Sequence, residues 1–259
     1  MTSPSPSEPR TPRLYHAAFA PVTAVKLAAT SIGTIYAVQT ILYIAGALDL
    51  VSAVASDLAV IAILLAYARR RGGLAAVGLR RVKPRFLLAG VLVGLSAWYL
   101  ALRLITWVEP PGNNELLQKI VEETALLPTL GAIGVMPAIA EEMVFRGVLA
   151  RALATRYPAI IAVLLSTAAF CAFHLLPAQM LGVLPLGLAL GILALGADSI
   201  VPTMIAHLIN NVIGVLLARD ELPPRLTFAI SGHPNLFLAC AIVVLGAGLA
   251  LGTRERRRE

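Results

Sequence analysis

The feature that most constrains this chain is a succession of eight apolar stretches almost free of charge: residues 25–48, 51–68, 86–108, 125–153, 159–176, 181–197, 201–218 and 236–251. A helix crossing the hydrocarbon core of a bilayer needs about 20 apolar residues. It also satisfies its own backbone polar groups where no water can do so. The sequence therefore predicts an all-α, polytopic transmembrane helix bundle of about eight spans. Composition agrees, with 58% hydrophobic residues, 14% charged residues and a mean hydropathy of +0.83. Soluble domains carry about 25% charged residues, so this chain has too little polar surface for water. The reading is one membrane domain over 21–252. A Ser-, Pro- and Arg-rich tail (1–20), expected to be disordered, precedes it, and a basic tail (253–259) follows. The first tail has no apolar core ahead of a cleavage site, so it does not read as a signal peptide.

A net charge of +7 would suggest nucleic acid in a soluble protein. Here the basic residues fall between apolar runs, where they set topology instead, and no nucleic-acid partner is expected. With both termini inside, the inner side holds Arg10, Arg13, Arg69, Arg70, Arg71, Arg80, Arg81, Lys83, Arg85, Arg146, Arg151, Arg156, Arg254, Arg256, Arg257 and Arg258. The outer loops hold only Lys119, Arg219 and Arg225. This bias predicts a multi-pass protein of the plasma (cytoplasmic) membrane, with the loop of Glu109, Glu115, Glu122 and Glu123 outside. Cys171 and Cys240 lie in apolar segments and read as buried thiols. Gly182, Gly187, Gly191 and Gly196 read as close-packing positions. Trp98, Tyr99 and Trp107 read as packing or interfacial aromatics.

An ionisable side chain within a bilayer costs about 2.5–3.5 kcal/mol on insertion scales and marks function by default. The fourth stretch carries Glu141, Glu142 and Arg146. On a regular helix the two carboxylates point about 100° apart. Glu142 and Arg146 share a face at the spacing of an ion pair, whose plainer role is to lock helices together. No cation stands three or four residues after Glu141, which leaves it to face the bundle interior. The fifth stretch ends with Phe170 and His174, and the seventh carries His207, Asn210 and Asn211. His207 and Asn211 share a face and can donate to one developing charge, whereas Asn210 points away and reads as a packing contact. Asp57 is also embedded, but no ionisable neighbour accompanies it in sequence.

Glu and His facing one cavity can hold and deprotonate water. The same residue types suit zinc, with Glu141, His174 and His207 as its ligands, although His-Glu-x-x-His is absent. Embedded Glu, His and Asn also suit a small transporter or proton relay, against which stands the lack of an inverted repeat. Regular geometry adds a tension. At about 1.5 Å per residue, Glu141 lies about 15 Å from Arg151, His207 about 8 Å from Pro202 and His174 about 25 Å from Tyr157. Convergence then requires the fourth helix to run past the membrane, with the fifth starting below it, or large tilts.

Glu141-Glu142-x-x-x-Arg146, Phe170-x-x-x-His174 and His207-x-x-x-Asn211, each on its own apolar stretch in this order, resemble the CPBP intramembrane proteases. That family includes type II CAAX prenyl endopeptidases and bacteriocin-processing or Abi-like, immunity-associated relatives. The resemblance covers about residues 138–213, inside a motif core of 125–218. It implies an endopeptidase acting on a membrane-anchored peptide or protein. Glu141 would be the general base, His174 would help to hold the water, and His207 and Asn211 would form the oxyanion site. Glu142 and Arg146 would support them, and Phe170 would shape the pocket. The family is often labelled metalloprotease, yet its chemistry is also described as glutamate-dependent and metal-free. No cofactor is expected on the second description, and zinc stays open on the first. A catalytically silent scaffold of the same fold is a further alternative.

Overall fold

The structure, a computed structural model, describes residues 17–108, 121 and 123–253. Most of the expected N-terminal tail, residues 254–259 of the C-terminal tail, and Glu109, Glu115 and Glu122 of the acidic loop lie outside the described residues. Those described are helical, with no strand among them. The helices are α1 (Pro21–Ile44), α2 (Asp49–Arg69), α3 (Pro84–Val108), α4 (126–153), α5 (Ala159–Phe173), α6 (Pro177–Ala197), α7 (Val201–Ala218), α8 (Pro224–Gly232) and α9 (Pro234–Thr253). Proline opens α1, α3, α6, α8 and α9, where its missing N–H has no intrahelical partner to lose.

Each of the eight apolar stretches forms a helix. Among the described residues, α1, α2, α3, α6, α7 and α9 are long and apolar enough to cross a membrane. Helix α5 is shorter than expected and ends at Phe173, and α8 was not expected at all. The side chains are sorted as a lipid environment demands. Leu58, Leu88, Leu95, Ile160, Ile242 and Val243 face outward, whereas Ser31, Ser56, Asp57, Ser166, Thr203 and the charged residues of α4 are buried.

Helix α3 packs on α6, α7 and α9; α1 packs on α2 and α4; α5 packs on α4 and α6. Small residues set these distances. A methyl group at Gly94 of α3 would stand 2.6 Å from the Ala206 carbonyl of α7, so only glycine admits this approach. Gly196 likewise abuts the backbone of Gly252, while Gly182, Gly187 and Gly191 face Ile105, Thr167 and Val163. Trp98 and Tyr99 pack edge-on with Phe237, whereas Trp107 is exposed. Cys171 is buried as expected; Cys240 is not, because it lies on an exposed face of α9 with Leu236 and Val243.

One end of the bundle gathers the basic residues. Asp198, in the left-handed conformation (φ 49°) after α6, accepts a hydrogen bond from Arg80 at 2.7 Å and forms an ion pair with Arg151 at 2.9 Å. The Ser199 hydroxyl donates to the Arg80 carbonyl and the Ile200 N–H to the Gly78 carbonyl, both at 2.9 Å. These bonds tie the α2–α3 connection to α4 and to the α6–α7 turn.

Candidate functional site

Helix α4 is not a regular α-helix. It is π-helical over Leu130–Val135 and Glu142–Ala150, with the α-helical Met136–Glu141 between them. Such i→i+5 stretches are rare and recur at functional sites. Pro137 gives a physical reason for the first. It stands four residues after Ile133 and has no N–H, so the Ile133 carbonyl loses its α-helical partner. The Asn211 side chain of α7 takes that carbonyl through Nδ2 at 3.0 Å. The same rule operates at Pro128, four residues after Thr124. The Thr124 carbonyl accepts from Arg219 Nη1 at 2.8 Å.

Glu141 and Glu142 sit at the junction of the α and π stretches, both buried, with Glu142 and Arg146 fully so. Arg146 Nη1 donates to Glu142 Oε1 at 2.8 Å, and Nη2 donates to the Gly187 carbonyl of α6 at 3.2 Å. The guanidinium also lies over the Phe170 ring, 4.2 Å from its centroid. One side chain thus ties α4, α5 and α6 together.

His207 enters from α7 and meets both carboxylates. Its Nδ1 donates to Glu142 Oε1 at 3.0 Å, and its Nε2 faces Glu141 Oε2 at 3.7 Å. The Thr203 hydroxyl lies beside Glu142. Glu141 Oε2 and Glu142 Oε2 are buried with no hydrogen-bond partner among the described residues. Oε2 of Glu141 is therefore an acceptor aimed at the gap before His207.

His174 follows the last residue of α5. Its own N–H turns to the Cys171 carbonyl, which leaves the Phe170 carbonyl open, and Nδ1 fills that place at 2.9 Å. With the proton on Nδ1, Nε2 is the acceptor nitrogen, a tautomer inferred from the bonding. The next residue, Leu175, has φ 58°. That conformation costs about 1–3 kcal/mol in a non-glycine residue and clusters at functional sites. The buried Phe170 ring packs edge-on against both imidazoles, with centroids 4.9 Å from His174 and 6.0 Å from His207. The depths that a regular bundle keeps apart do meet. A regular helix over 126–153 would measure about 42 Å, longer than the roughly 30 Å hydrocarbon core.

The motif residues are thus brought together, with two differences from expectation. His207 is anchored by Glu142, which was assigned only to Arg146. Asn211 holds the α4 backbone with one amide proton, so one donor remains for any other partner. Asn210 Nδ2 donates to Asn211 Oδ1 at 3.3 Å and orients it. Two residues from outside the motifs also reach the cluster. Asp57 of α2, set aside in the sequence for want of a neighbour, is buried within electrostatic range of Glu141. Tyr36 of α1 is within range of the same carboxylate, and its hydroxyl donates to the Phe173 carbonyl.

Zinc would require Glu141, His174 and His207 to converge as ligands. Each histidine has Nδ1 bonded, to the Phe170 carbonyl in His174 and to Glu142 in His207, which leaves Nε2 as the nitrogen available for such a role. Among the described residues no three His, Cys, Asp or Glu side chains form a group that could hold a metal.

No curated protein and no solved structure matches the chain. A family model does: residues 123–213 match the model described as type II CAAX prenyl endopeptidase Rce1-like. The match begins just before α4 and ends two residues past Asn211. It contains each motif residue from Glu141 to Asn211, while Tyr36 and Asp57 fall outside it. Over this segment, about a third of the chain, the protein is similar to the Rce1-like, type II CAAX prenyl endopeptidases, and the match supports the protease family that its three motifs resemble.

Proposed function

We propose that the protein is a metal-free intramembrane endopeptidase that hydrolyses a peptide bond of a membrane-anchored, CAAX-type protein or peptide, with Glu141 as general base. The observation that carries this reading is the placement of His207, bonded to Glu142 through Nδ1 and turned to Glu141 through Nε2. Glu142 and Arg146 neutralise each other. One proton shared by Glu141 and His207 then leaves the desolvated cluster with no net charge, the state that burial favours. With that proton on His207, Glu141 is a carboxylate and His207 has an N–H at each nitrogen.

The 3.7 Å gap is too wide for a direct hydrogen bond. An oxygen at hydrogen-bond distance from both atoms fits beside it, at the apex of a triangle. In the reaction, water placed by Glu141 and His174 Nε2 attacks the scissile carbonyl. The C–O bond forms, Glu141 takes a water proton, and the carbonyl oxygen becomes an oxyanion. His207 Nε2–H and the remaining Asn211 amide proton donate to that oxyanion. Collapse breaks the C–N bond, and Glu141 delivers its proton to the departing nitrogen. Glu142 is a positioning residue that fixes the ring of His207.

The membrane places the substrate. We read α1 to α7 and α9 as eight spans with both termini cytoplasmic in the plasma membrane, from the charge bias and the basic end of the bundle. A lipid or apolar anchor would stay in the bilayer while the adjoining peptide enters between helices. The test is cleavage of a fluorogenic CAAX peptide, with and without a farnesyl group, by purified protein in proteoliposomes. Cleavage that requires the farnesyl group supports the reading. A folded protein that cleaves neither peptide at any pH contradicts it and favours the silent scaffold.

A further inference from the structure

The rule that gives the Ile133 carbonyl to Asn211 and the Thr124 carbonyl to Arg219 operates again at the end of α5. Pro177 stands four residues after Phe173 and has no N–H to offer the Phe173 carbonyl. The Tyr36 hydroxyl of α1 donates to that carbonyl instead. The earlier cases hold α4, whereas this one holds the residue before His174.

The remaining N–H groups of the turn are bonded within it. The His174 N–H donates to the Cys171 carbonyl at 3.0 Å, the Leu175 N–H to Ala172 at 3.3 Å and the Leu176 N–H to His174 at 2.6 Å. The Phe173 carbonyl and the His174 N–H belong to one planar peptide unit. That unit is therefore held at both edges, by α1 at its oxygen and by α5 at its nitrogen. It fixes where the His174 side chain leaves the backbone. With Nδ1 tied to the Phe170 carbonyl at 2.9 Å, it also fixes the direction of Nε2. Beyond His174 the chain turns away at once, with Leu175 at φ 58°, so α5 does not continue past the histidine to hold it.

Ring contacts run beside the hydrogen bond. The Tyr36 ring centroid lies 5.9 Å from that of Phe173, which meets the His174 ring edge-on at 5.4 Å and Phe145 of α4 at 5.8 Å. These contacts survive loss of the hydroxyl, so Tyr36→Phe isolates the hydrogen bond. The matched segment, residues 123–213, does not reach Tyr36. We propose that Tyr36 is a positioning residue for the hydrolysis: from α1 it grips the Phe173–His174 peptide and so aims His174 Nε2 at the water. This role rests on the reading of His174 as the group that holds the water.

The test uses the full-length protein. It reads kcat and KM for the farnesylated CAAX peptide in proteoliposomes, and the ring-nitrogen resonances of isotope-labelled histidine in detergent. His174 is identified among the four histidines by the signals lost in His174→Gln. Tyr36→Phe should lower kcat about tenfold or more, as for other groups that orient a working imidazole, with KM within about twofold of wild type. Its melting temperature should match wild type. The His174 resonances should move from the Nδ1–H form toward a mixture of tautomers, while those of His207 stay in place. Thr34→Val removes a hydroxyl that donates within α1, to the Thr30 carbonyl, and should change none of these. An unchanged kcat in Tyr36→Phe would overturn the role. Slower cleavage with unmoved His174 resonances would overturn it too, and would assign the hydroxyl to Glu141, within whose electrostatic range it lies. A lower melting temperature with kcat held would reduce Tyr36 to packing. If the wild type cleaves neither peptide, the peptidase reading falls, and the His174 resonances still decide whether Tyr36 holds the histidine.

Discussion

His207 donates from Nδ1 to Glu142 and turns Nε2 toward Glu141, so one imidazole addresses two adjacent carboxylates in two different ways. The adjacency that looks redundant in sequence becomes a division of labour. Glu142, held by Arg146, fixes the ring. Glu141, with an unpartnered oxygen, meets the ring's other nitrogen.

Glu142→Gln should therefore slow cleavage without much change in KM. An amide can still accept from Nδ1 but leaves Arg146 without its counter-charge. Displacing a partner that orients a working side chain costs about 10- to 100-fold in metal sites, and a kcat loss of that order is expected here. A rise in KM at constant kcat would assign Glu142 to substrate binding instead.

Arg146→Ala should destabilise the fold by about 3–5 kcal/mol, because it strands Glu142 as a buried charge. Arg146→Lys should recover only part of this. A lysine cannot reach the Glu142 carboxylate and the Gly187 carbonyl with a planar fork while lying flat over Phe170. Melting temperatures of both variants in one detergent check the order wild type, Lys, Ala.

Pro137→Ala supplies the N–H that Ile133 lacks. The restored helical bond should compete with Asn211 for the Ile133 carbonyl. Cleavage is expected to fall several-fold while the melting temperature holds or rises, as removing a helix-interior proline favours the helix by about 3 kcal/mol. A parallel loss of both would mean that Pro137 serves packing alone.

Much of this arrangement was legible in the residues. The eight apolar stretches match helices to within a few residues, because burial in lipid leaves the backbone little else to do. The Glu142–Arg146 pair and the common face of His207 and Asn211 follow from spacing along one helix. What spacing could not carry is contact between helices. His207 meets Glu142 across 65 positions, and Asp57 meets Glu141 only because α2 packs on α4. The π stretches were missed although Pro137 signals the first of them. That signal lies in a missing proton rather than in a hydrophobic pattern. The depth mismatch arose from assuming regular, parallel helices.

Chelation separates the metal-free reading from zinc. Prolonged treatment with 1,10-phenanthroline followed by removal of the chelator should leave the cleavage rate unchanged, and added zinc should not raise it. Loss on chelation with recovery on zinc would place Glu141 and the histidines in a metal site that the described geometry does not form.

The most direct measurement is the cleavage rate of Glu141→Gln against wild type, in proteoliposomes of equal protein content and with melting temperatures matched. Removing a general base costs about 10²- to 10⁴-fold, and a loss in that range with substrate affinity retained is predicted. Cleavage by Glu141→Gln within a few-fold of wild type would contradict the account at its centre.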